Sequence, residues 1–151
     1  MLLNGDSWLD FCLLDLPHSA RNWESDAVLT LRQLPDASRS GVVTLEGSRV
    51  TSFLERPAAP GPGLVNAGIY WLNARILSAL PANGSLEHEI LPALSKQGRL
   101  RGIVVKDGYF IDIGIAETFQ RAQSEIPDLM RRRDPDVFLW RTAPDPALPR
   151  P

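Results

Sequence analysis

The sequence predicts an α/β domain, in which short strands alternate with capped helices. Residues 27–34 alternate as a strand does, and residues 64–72 form the most strand-like run of the chain. Residues 41–45 and 49–54 flank a short loop that contains Gly, which predicts a hairpin. Asn73 is placed to cap a short helix that runs to Leu80, and Ser85 is placed to cap a helix whose apolar residues keep helical spacing. This mixture of strands and helices along one chain is typical of the α/β class.

The remaining elements follow in chain order. We expect a short helix over residues 11–16, which a proline ends, and a last helix from about Ala116, which Pro127 interrupts. Two more short strands are predicted before that helix, at residues 100–105 and 108–113. The chain thus provides enough strands for one sheet with helices packed against it.

Length and composition limit the class of protein. At 151 residues, with 44% hydrophobic and 23% charged residues, the chain is expected to form one globular domain. A formal net charge of −2 gives no reason to invoke nucleic acid or an anionic membrane as a partner. The single cysteine, Cys12, cannot form an internal disulfide. No signal peptide or membrane span is indicated, and we expect a cytoplasmic protein.

Two aspartates stand where apolar runs end beside a glycine. Leu2 and Leu3 have the pattern of the end of a buried parallel strand, and the Asn-Gly-Asp turn after them presents Asp6 at the strand's carboxyl end. Asp112 follows the apolar run before Gly114 in a similar way. The two carboxylates could share one Mg²⁺. The alternative, favoured for either residue alone, is that each caps a following helix.

Two further residues leave alternatives open. Gly68 lies in the middle of a strand, where it costs stability unless something approaches the backbone closely. A bound ligand and a β-bulge explain it about equally well. Glu87 lies in the first turn of the helix that Ser85 caps, where it either complements the helix dipole or faces the edge of a pocket.

Five segments taken together identify a family. In order they are LNGD (residues 3–6), FLERP (53–57), NAGIY (66–70), SLEHEILP (85–92) and DGYFIDIG (107–114). With these segments in this order, the chain resembles the sugar-1-phosphate nucleotidyltransferases. The resemblance extends from residue 2 to about residue 127. The similarity is to the branch that contains the mannose-1-phosphate and D-glycero-D-manno-heptose-1-phosphate guanylyltransferases.

The resemblance implies a Rossmann-like α/β/α nucleotidyltransferase fold and a reaction of a nucleoside triphosphate with a sugar-1-phosphate. It implies Mg²⁺ as cofactor, with Asp6 and Asp112 as catalytic residues and metal ligands. By the same analogy, five residues bind substrate: Glu55 and Glu87 the sugar hydroxyls, Arg56 the phosphate, and Asn66 and Gly68 the sugar pocket. Arg56 stands where the family usually has Lys, which keeps the charge but changes the geometry.

The family's N-terminal glycine-rich segment has no counterpart in this sequence. We therefore expect a fold truncated at its N-terminus, in which residues 1–130 form the C-terminal portion of the domain and residues 131–151 a basic, then Pro-rich, disordered tail. An exposed sheet edge is expected to associate with another chain. Catalysis by the chain alone is in doubt, and the alternative is a non-catalytic module for sugar-phosphate binding or subunit contact.

Overall fold

The computed structural model describes residues 1–54, 60–81 and 83–132, and within them the strands form two sheets. The strands are β1 (Leu2–Leu3), β2 (Ser7–Leu9), β3 (Ala27–Leu34), β4 (Val42–Glu46), β5 (Arg49–Leu54), β6 (Gly63–Leu72), β7 (Leu100–Val104) and β8 (Phe110–Asp112). The helices are α1 (Asp15–Asn22), α2 (Ala74–Ala79), α3 (Leu91–Lys96) and α4 (Ala116–Arg132). A π-helical turn, Leu86–Ile90, leads directly into α3.

The larger sheet has the order β1-β6-β3-β7-β5-β4, and β2 pairs with β8 in a separate two-stranded sheet. Strand β3 lies near the centre of the larger sheet, antiparallel to β6 and parallel to β7. Strand β4 also meets β6 where Val42 lies opposite Val65. Strand β6 therefore contacts β1, β3 and β4, which makes it the strand with the most neighbours in the described sheet.

The side chains of β3 divide between the two faces of the sheet, as the period of two requires. Ala27, Leu29 and Leu31 belong to one hydrophobic cluster, which also includes residues of α2 and α3. Val28 belongs to a second cluster with residues of α1. Helices therefore cover both faces of the sheet, and the predicted α/β/α layering is observed.

Local sequence signals placed several elements correctly. The hairpin is observed as β4 and β5, paired antiparallel. Asn73 caps α2, since its side-chain oxygen accepts a hydrogen bond from the Arg75 amide at 3.0 Å. Ser85 caps the π-helical turn in the same way, accepting from the His88 amide at 3.1 Å. These caps satisfy amides that the helix itself leaves without partners.

Two predictions about prolines were wrong. The helix expected over residues 11–16 instead begins at Asp15, so Pro17 lies in the first turn of α1. A missing amide is tolerated there because amides of the first turn have no partner within the helix. Helix α4 continues through Pro127 to Arg132. Pro127 and the preceding turn at Gln123 are exposed to solvent, where a carbonyl released by the proline can bind water.

Strand β1 also differs from its prediction as a buried parallel strand. It pairs antiparallel with β6, with Leu2 opposite Tyr70 and Leu3 opposite Ile69. In the described part of the chain β6 is its only partner, so β1 forms an edge of the sheet. Leu2 and Leu3 are consequently 42% and 52% exposed. An apolar edge strand of this kind can pair with another chain.

The first two residues of the predicted tail are helical. Arg131 and Arg132 belong to α4, while residues 133–151 lie outside the described residues. The predicted boundary after residue 130 therefore falls inside a helix. Among the helices of the described ranges, none is both long enough and apolar enough to cross a membrane.

The exposed edge leads to a prediction about association. Leu3→Lys should reduce concentration-dependent self-association of the 151-residue chain, because lysine on an edge strand opposes pairing with a second strand. Sedimentation velocity over a range of protein concentrations measures the effect. Leu77→Lys is the matched control, since Leu77 is a similarly exposed leucine, at 49%, on α2. Equal behaviour of the two variants would mean that association does not involve the β1 edge.

Candidate functional site

The two predicted metal ligands lie at neighbouring ends of the small sheet, where Asp112 is the last residue of β8 and Asp6 is the residue before β2. Strand β2 pairs antiparallel with β8, with Ser7 directly opposite Asp112. Asp6 immediately precedes Ser7, and its carbonyl oxygen accepts a hydrogen bond from the Ile113 amide at 2.8 Å. The structure thus brings the backbones of Asp6 and Asp112 together from positions far apart in the sequence.

Both carboxylates are exposed and are oriented by short-range hydrogen bonds. Asp112 Oδ1 accepts a hydrogen bond from the Gly114 amide at 2.7 Å, and Asp6 Oδ1 accepts one from the Ser7 hydroxyl at 3.4 Å. Among the described residues, no group of three or more His, Cys, Asp or Glu side chains is arranged to hold a metal. The structure therefore offers two carboxylates on adjacent backbone segments, and their sharing of one metal ion stays a prediction. Such a pair suits Mg²⁺, which commonly takes one or two carboxylates and completes its shell with water and phosphate oxygens.

The turn that carries Asp6 is fixed to the larger sheet at Gly68. The Asn4 amide donates to the Gly68 carbonyl at 2.7 Å. Gly68 has φ +80°, and the pairing of β3 with β6 shifts register beside it, between Leu29 and Leu31. A Cβ on Gly68 would lie 2.9 Å from the Cβ of Asn4. Gly68 therefore forms a bulge, and the group that approaches its backbone closely is the protein's own Asn4.

A cleft of about 500 Å³ lies beside this turn. Its walls are residues 2–6 on one side and residues 85–87 on the other. The wall that includes Asp6 follows the carboxyl end of β1, which is where open α/β sheets commonly bind ligands. A second cleft, of about 340 Å³, is lined by Gly41, Phe53, Glu87, His88 and Pro92. Glu87 lines both clefts.

The Glu87 side chain is held in place by two residues of β6. Asn66 Nδ2 donates to Glu87 Oε1 at 2.7 Å and to the Tyr70 hydroxyl oxygen at 2.6 Å. The Tyr70 hydroxyl in turn donates to the same Glu87 oxygen at 2.9 Å. Asn66 Oδ1 accepts from the Gly68 amide at 3.2 Å. Glu87 therefore lies at the edge of both clefts, which is one of the two roles that the sequence left open for it. Its hydrogen bonds hold this orientation without a ligand.

Among the described residues, one predicted substrate-binding residue lines the clefts, and two others contact residues that line them. Glu87 lines the clefts directly, whereas Asn66 contacts Glu87 and Gly68 contacts Asn4. Glu55 and Arg56 lie outside the described residues, although Phe53, which precedes them in the sequence, lines the second cleft. Their roles in binding sugar and phosphate stay predictions.

Tyr70 was missed as a site residue. It is completely buried, and burial followed by the charge of Glu87 raises the pKa of its hydroxyl, although the hydrogen bond from Asn66 acts in the opposite direction. A sequence signal existed, because a tyrosine in a buried strand needs a partner for its hydroxyl. Its spacing of four from Asn66 also places both on one face of a strand. The sequence could not identify Glu87 as the partner.

The structure defines an α/β protein with an open cleft at a strand end, lined by the carboxylates of Asp6 and Glu87 among other residues. A family model described as Nucleotidyl transferase matches residues 1–128, so the chain belongs to the nucleotidyl transferase family. This confirms the family recognised from the five sequence segments.

Curated relatives are similar over most of this chain. A putative mannose-1-phosphate guanyltransferase of Sulfolobus acidocaldarius is 32% identical over 118 residues, which are 78% of this chain and 32% of that protein. A D-glycero-alpha-D-manno-heptose 1-phosphate guanylyltransferase of Aneurinibacillus thermoaerophilus is 30% identical over 128 residues, which are 83% of this chain and 55% of that protein. The chain therefore spans between about a third and about half of the length of these relatives.

Solved structures confirm the fold. HddC from Yersinia pseudotuberculosis, which has also been crystallised with GMP-PN, superposes with a TM-score of 0.66 at 29% identity, covering 80% of this chain and 52% of that one. A putative glucose-1-phosphate thymidylyltransferase from Bacillus anthracis superposes with a TM-score of 0.68 at 21% identity, covering 86% and 53%. The fold is the Rossmann-like nucleotidyltransferase fold that the resemblance implied.

The close approach at Gly68 predicts the effect of adding one methyl group. Gly47 has φ +60° and no atom within 4 Å of an added Cβ, so Gly47→Ala should lower the free energy of unfolding only by the cost of a left-handed alanine, about 1 kcal/mol. Gly68→Ala should cost at least about 1 kcal/mol more, because Asn4 must move. Urea unfolding measures both variants. Equal losses would show that the contact between Gly68 and Asn4 is not tight.

The hydroxyl network predicts an unusual tyrosine titration. The chain has two tyrosines, and burial followed by the Glu125 hydrogen bond and charge raises the pKa of Tyr109 to about 12. Both hydroxyls should therefore stay protonated at about pH 10, where an unfolded tyrosine is half ionised. Their contribution to stability is full below that pH and is lost as the pH rises through the folded-state values.

Ultraviolet titration after a rapid pH jump, read before unfolding, tests this expectation. Glu87→Gln removes the negative charge beside Tyr70 and should lower its pKa, while Tyr109 serves as the internal reference. A Tyr70 transition that does not move relative to that of Tyr109 would contradict the network.

Proposed function

We propose that this chain forms the sugar-1-phosphate side of a nucleotidyltransferase site, in an enzyme that acts as a guanylyltransferase. In this reaction a phosphate oxygen of the sugar-1-phosphate forms a bond to the α-phosphorus of a nucleoside triphosphate. The bond from the α-phosphorus to the oxygen that bridges to the β-phosphorus breaks, and pyrophosphate leaves. Family membership and the names of the mannose and heptose guanylyltransferase relatives support this proposal.

The observation that carries the proposal is the pairing of β2 with β8 beside the larger cleft. In this pairing the backbone of Asp6, which lines that cleft, runs beside the backbone of Asp112. The two carboxylates would hold Mg²⁺, which when bound would neutralise charge on the phosphoryl oxygens. The carboxylates themselves are kept in place by the amide of Gly114 and the hydroxyl of Ser7.

Glu87 would bind the acceptor sugar. One of its oxygens already accepts two hydrogen bonds, from Asn66 and Tyr70, so the carboxylate is fixed at the boundary of the two clefts. A carboxylate fixed in this way can accept hydrogen bonds from sugar hydroxyls with little further loss of side-chain freedom. Arg56, as in the sequence prediction, would pair with the sugar's phosphate.

The residues that would surround the β- and γ-phosphates are not assigned to this chain. The relatives are about two to three times as long as the part that this chain matches, so this chain covers only part of such an enzyme. In-line transfer needs fixed positions for both reactants and preorganised donors for the developing charge. We therefore propose activity only together with a polypeptide that supplies the other part of such an enzyme.

In the non-catalytic alternative, the chain has the same clefts but catalyses no nucleotidyl transfer. The exposed apolar residues of β1 favour a role in subunit contact, because they present an unpaired edge. The two candidate functions differ in what a complementary segment should do. It restores pyrophosphate release if the chain is part of an enzyme, and it binds without restoring release if the chain is a binding module.

Pyrophosphate release tests the proposal. The chain with Mg²⁺, each nucleoside triphosphate and mannose- or heptose-1-phosphate should release little pyrophosphate alone, and more when mixed with a separately expressed N-terminal segment of a related guanylyltransferase. In the mixture Asp112→Asn should reduce release by about 100-fold or more, since it removes a metal ligand at the reacting phosphate. Asp107→Asn, at an exposed aspartate earlier in the same connection, is the matched control.

Two results would count against this assignment. Robust release by the chain alone that depends on Asp112 would show that no complementary segment is needed. Release in the mixture that is unaffected by Asp112→Asn would remove Asp112 from the site.

A further inference from the structure

Arg32 on β3 is surrounded by four consecutive backbone carbonyls of the loop between β7 and β8. Its Nη1 donates to the carbonyls of Val105 at 2.9 Å, Lys106 at 2.8 Å and Asp107 at 3.0 Å. Its Nη2 donates to the carbonyl of Gly108 at 2.9 Å. The guanidinium thus contacts four of the five residues, 105–109, that connect β7 to β8.

This arrangement requires a cation. Successive carbonyls of an extended chain point to opposite sides, so four that converge on one point bring their partial negative charges together. A guanidinium offers five N–H donors and a delocalised charge to such a set of acceptors. The turn is tight at its end, where Gly108 has φ +88° and an added Cβ would lie 2.7 Å from the Asp10 carbonyl oxygen.

The loop that Arg32 holds leads directly into the strand with Asp112. The Val105 amide donates to the Leu31 carbonyl at 2.9 Å, which fixes the start of the loop to β3. At the other end the Asp10 amide donates to the Tyr109 carbonyl at 2.8 Å, and the pairing of β8 with β2 follows. The loop is thus fixed at both ends, and its position determines that Asp112 lies opposite Ser7.

We propose that Arg32 is a positioning residue for the pair of Asp6 and Asp112, acting through the loop of residues 105–108 and the register of β8. This role rests on the proposed function, because the pair matters only if it binds a metal ion. Arg32 donates its hydrogen bonds to backbone carbonyls of residues 105–108, and it is not among the described residues that line the two clefts. It fixes the geometry of the site through this loop.

The direction of the change in cation affinity distinguishes this proposal from a simple effect of charge. Arg32→Gln removes one positive charge from the protein, and charge alone would strengthen the binding of a cation. If Arg32 positions the carboxylates, the same substitution should weaken cation binding. Arg32→Lys is the conservative variant, because an ammonium has three donors and Nη1 alone already contacts three of the four carbonyls. Lysine should therefore restore most of the affinity.

Mn²⁺ is the probe, with its affinity for the 151-residue chain read by electron paramagnetic resonance. Arg32→Gln should weaken Mn²⁺ binding by about tenfold, in the range known for residues that orient metal ligands. Arg49→Gln is the matched control, since it removes the same charge from an arginine whose ion pair with Glu46 is exposed. It should bind Mn²⁺ as well as the unmodified chain does. Asp112→Asn should abolish specific binding.

Amide hydrogen exchange provides the second readout. In Arg32→Gln, residues 109–113 should exchange faster, while the amides of β3 and β6 keep their protection, which shows that the fold is retained. Unchanged exchange at residues 109–113 would overturn the positioning role, whatever happens to Mn²⁺ affinity. Mn²⁺ affinity that is unchanged or higher in Arg32→Gln, or that falls equally in Arg32→Lys, would overturn it as well.

The proposed function fails in a different way. Mn²⁺ binding that is absent from the unmodified chain, or that survives Asp112→Asn, would remove the metal site. Hydrogen exchange at residues 109–113 would then still decide whether Arg32 sets the register of β8.

Discussion

The left-handed conformation of Gly68 is the constraint on which the candidate site depends. Strand β6 contacts β1, β3 and β4, so a bulge in it affects the sheet on both sides. At this bulge the Gly68 carbonyl accepts a hydrogen bond from the Asn4 amide. Because Gly68 has no side chain, the turn of residues 4–6 can lie against the sheet. Asp6 lies two residues further along that turn. The position of one carboxylate thus follows from a backbone conformation that glycine adopts without strain.

The same bulge separates the two residues that hold Glu87. Asn66 and Tyr70 lie on either side of Gly68 in β6, and both contact one oxygen of the Glu87 carboxylate. Tyr70 is completely buried, so its hydroxyl would carry a desolvation cost if it had no partner. The network satisfies this buried hydroxyl and orients an acidic side chain at the cleft. One set of hydrogen bonds therefore contributes both to the stability of the core and to the preorganisation of the site.

The larger sheet and the small sheet are joined by polar backbone contacts at two places. The bond from Asn4 to Gly68 joins them at the start of β2, and the four bonds from Arg32 join them at the loop before β8. Apolar contacts join the two sheets as well, since Leu9 of β2 and Phe110 of β8 pack in one cluster with Ala67 and Ile69 of β6. Apolar packing thus holds the two sheets together, and the hydrogen bonds, which are directional, add a constraint on where the backbones of Asp6 and Asp112 lie.

Much of the fold could be predicted because its signals are local. The alternation over residues 27–34 indicated a strand, and the caps at Asn73 and Ser85 were recognisable from residue type and position. The five family segments identified the nucleotidyl transferase family, which the match over residues 1–128 confirms. The effects of Pro17 and Pro127 were predicted wrongly. A proline ends a helix only where the amide that it lacks, or the carbonyl that it leaves free, needs a partner within the helix.

The sequence by itself therefore determined the family, most strands and helix caps, and the residue types of the candidate site. Only the tertiary structure decided that β1 is an exposed antiparallel edge, that Tyr70 and Asn66 hold Glu87, and that Arg32 binds the loop of residues 105–108. These contacts join residues that are far apart in the sequence, and residue type shows only that a polar group needs a partner. Which partner it finds depends on strand order and register, which the packing of the whole chain sets.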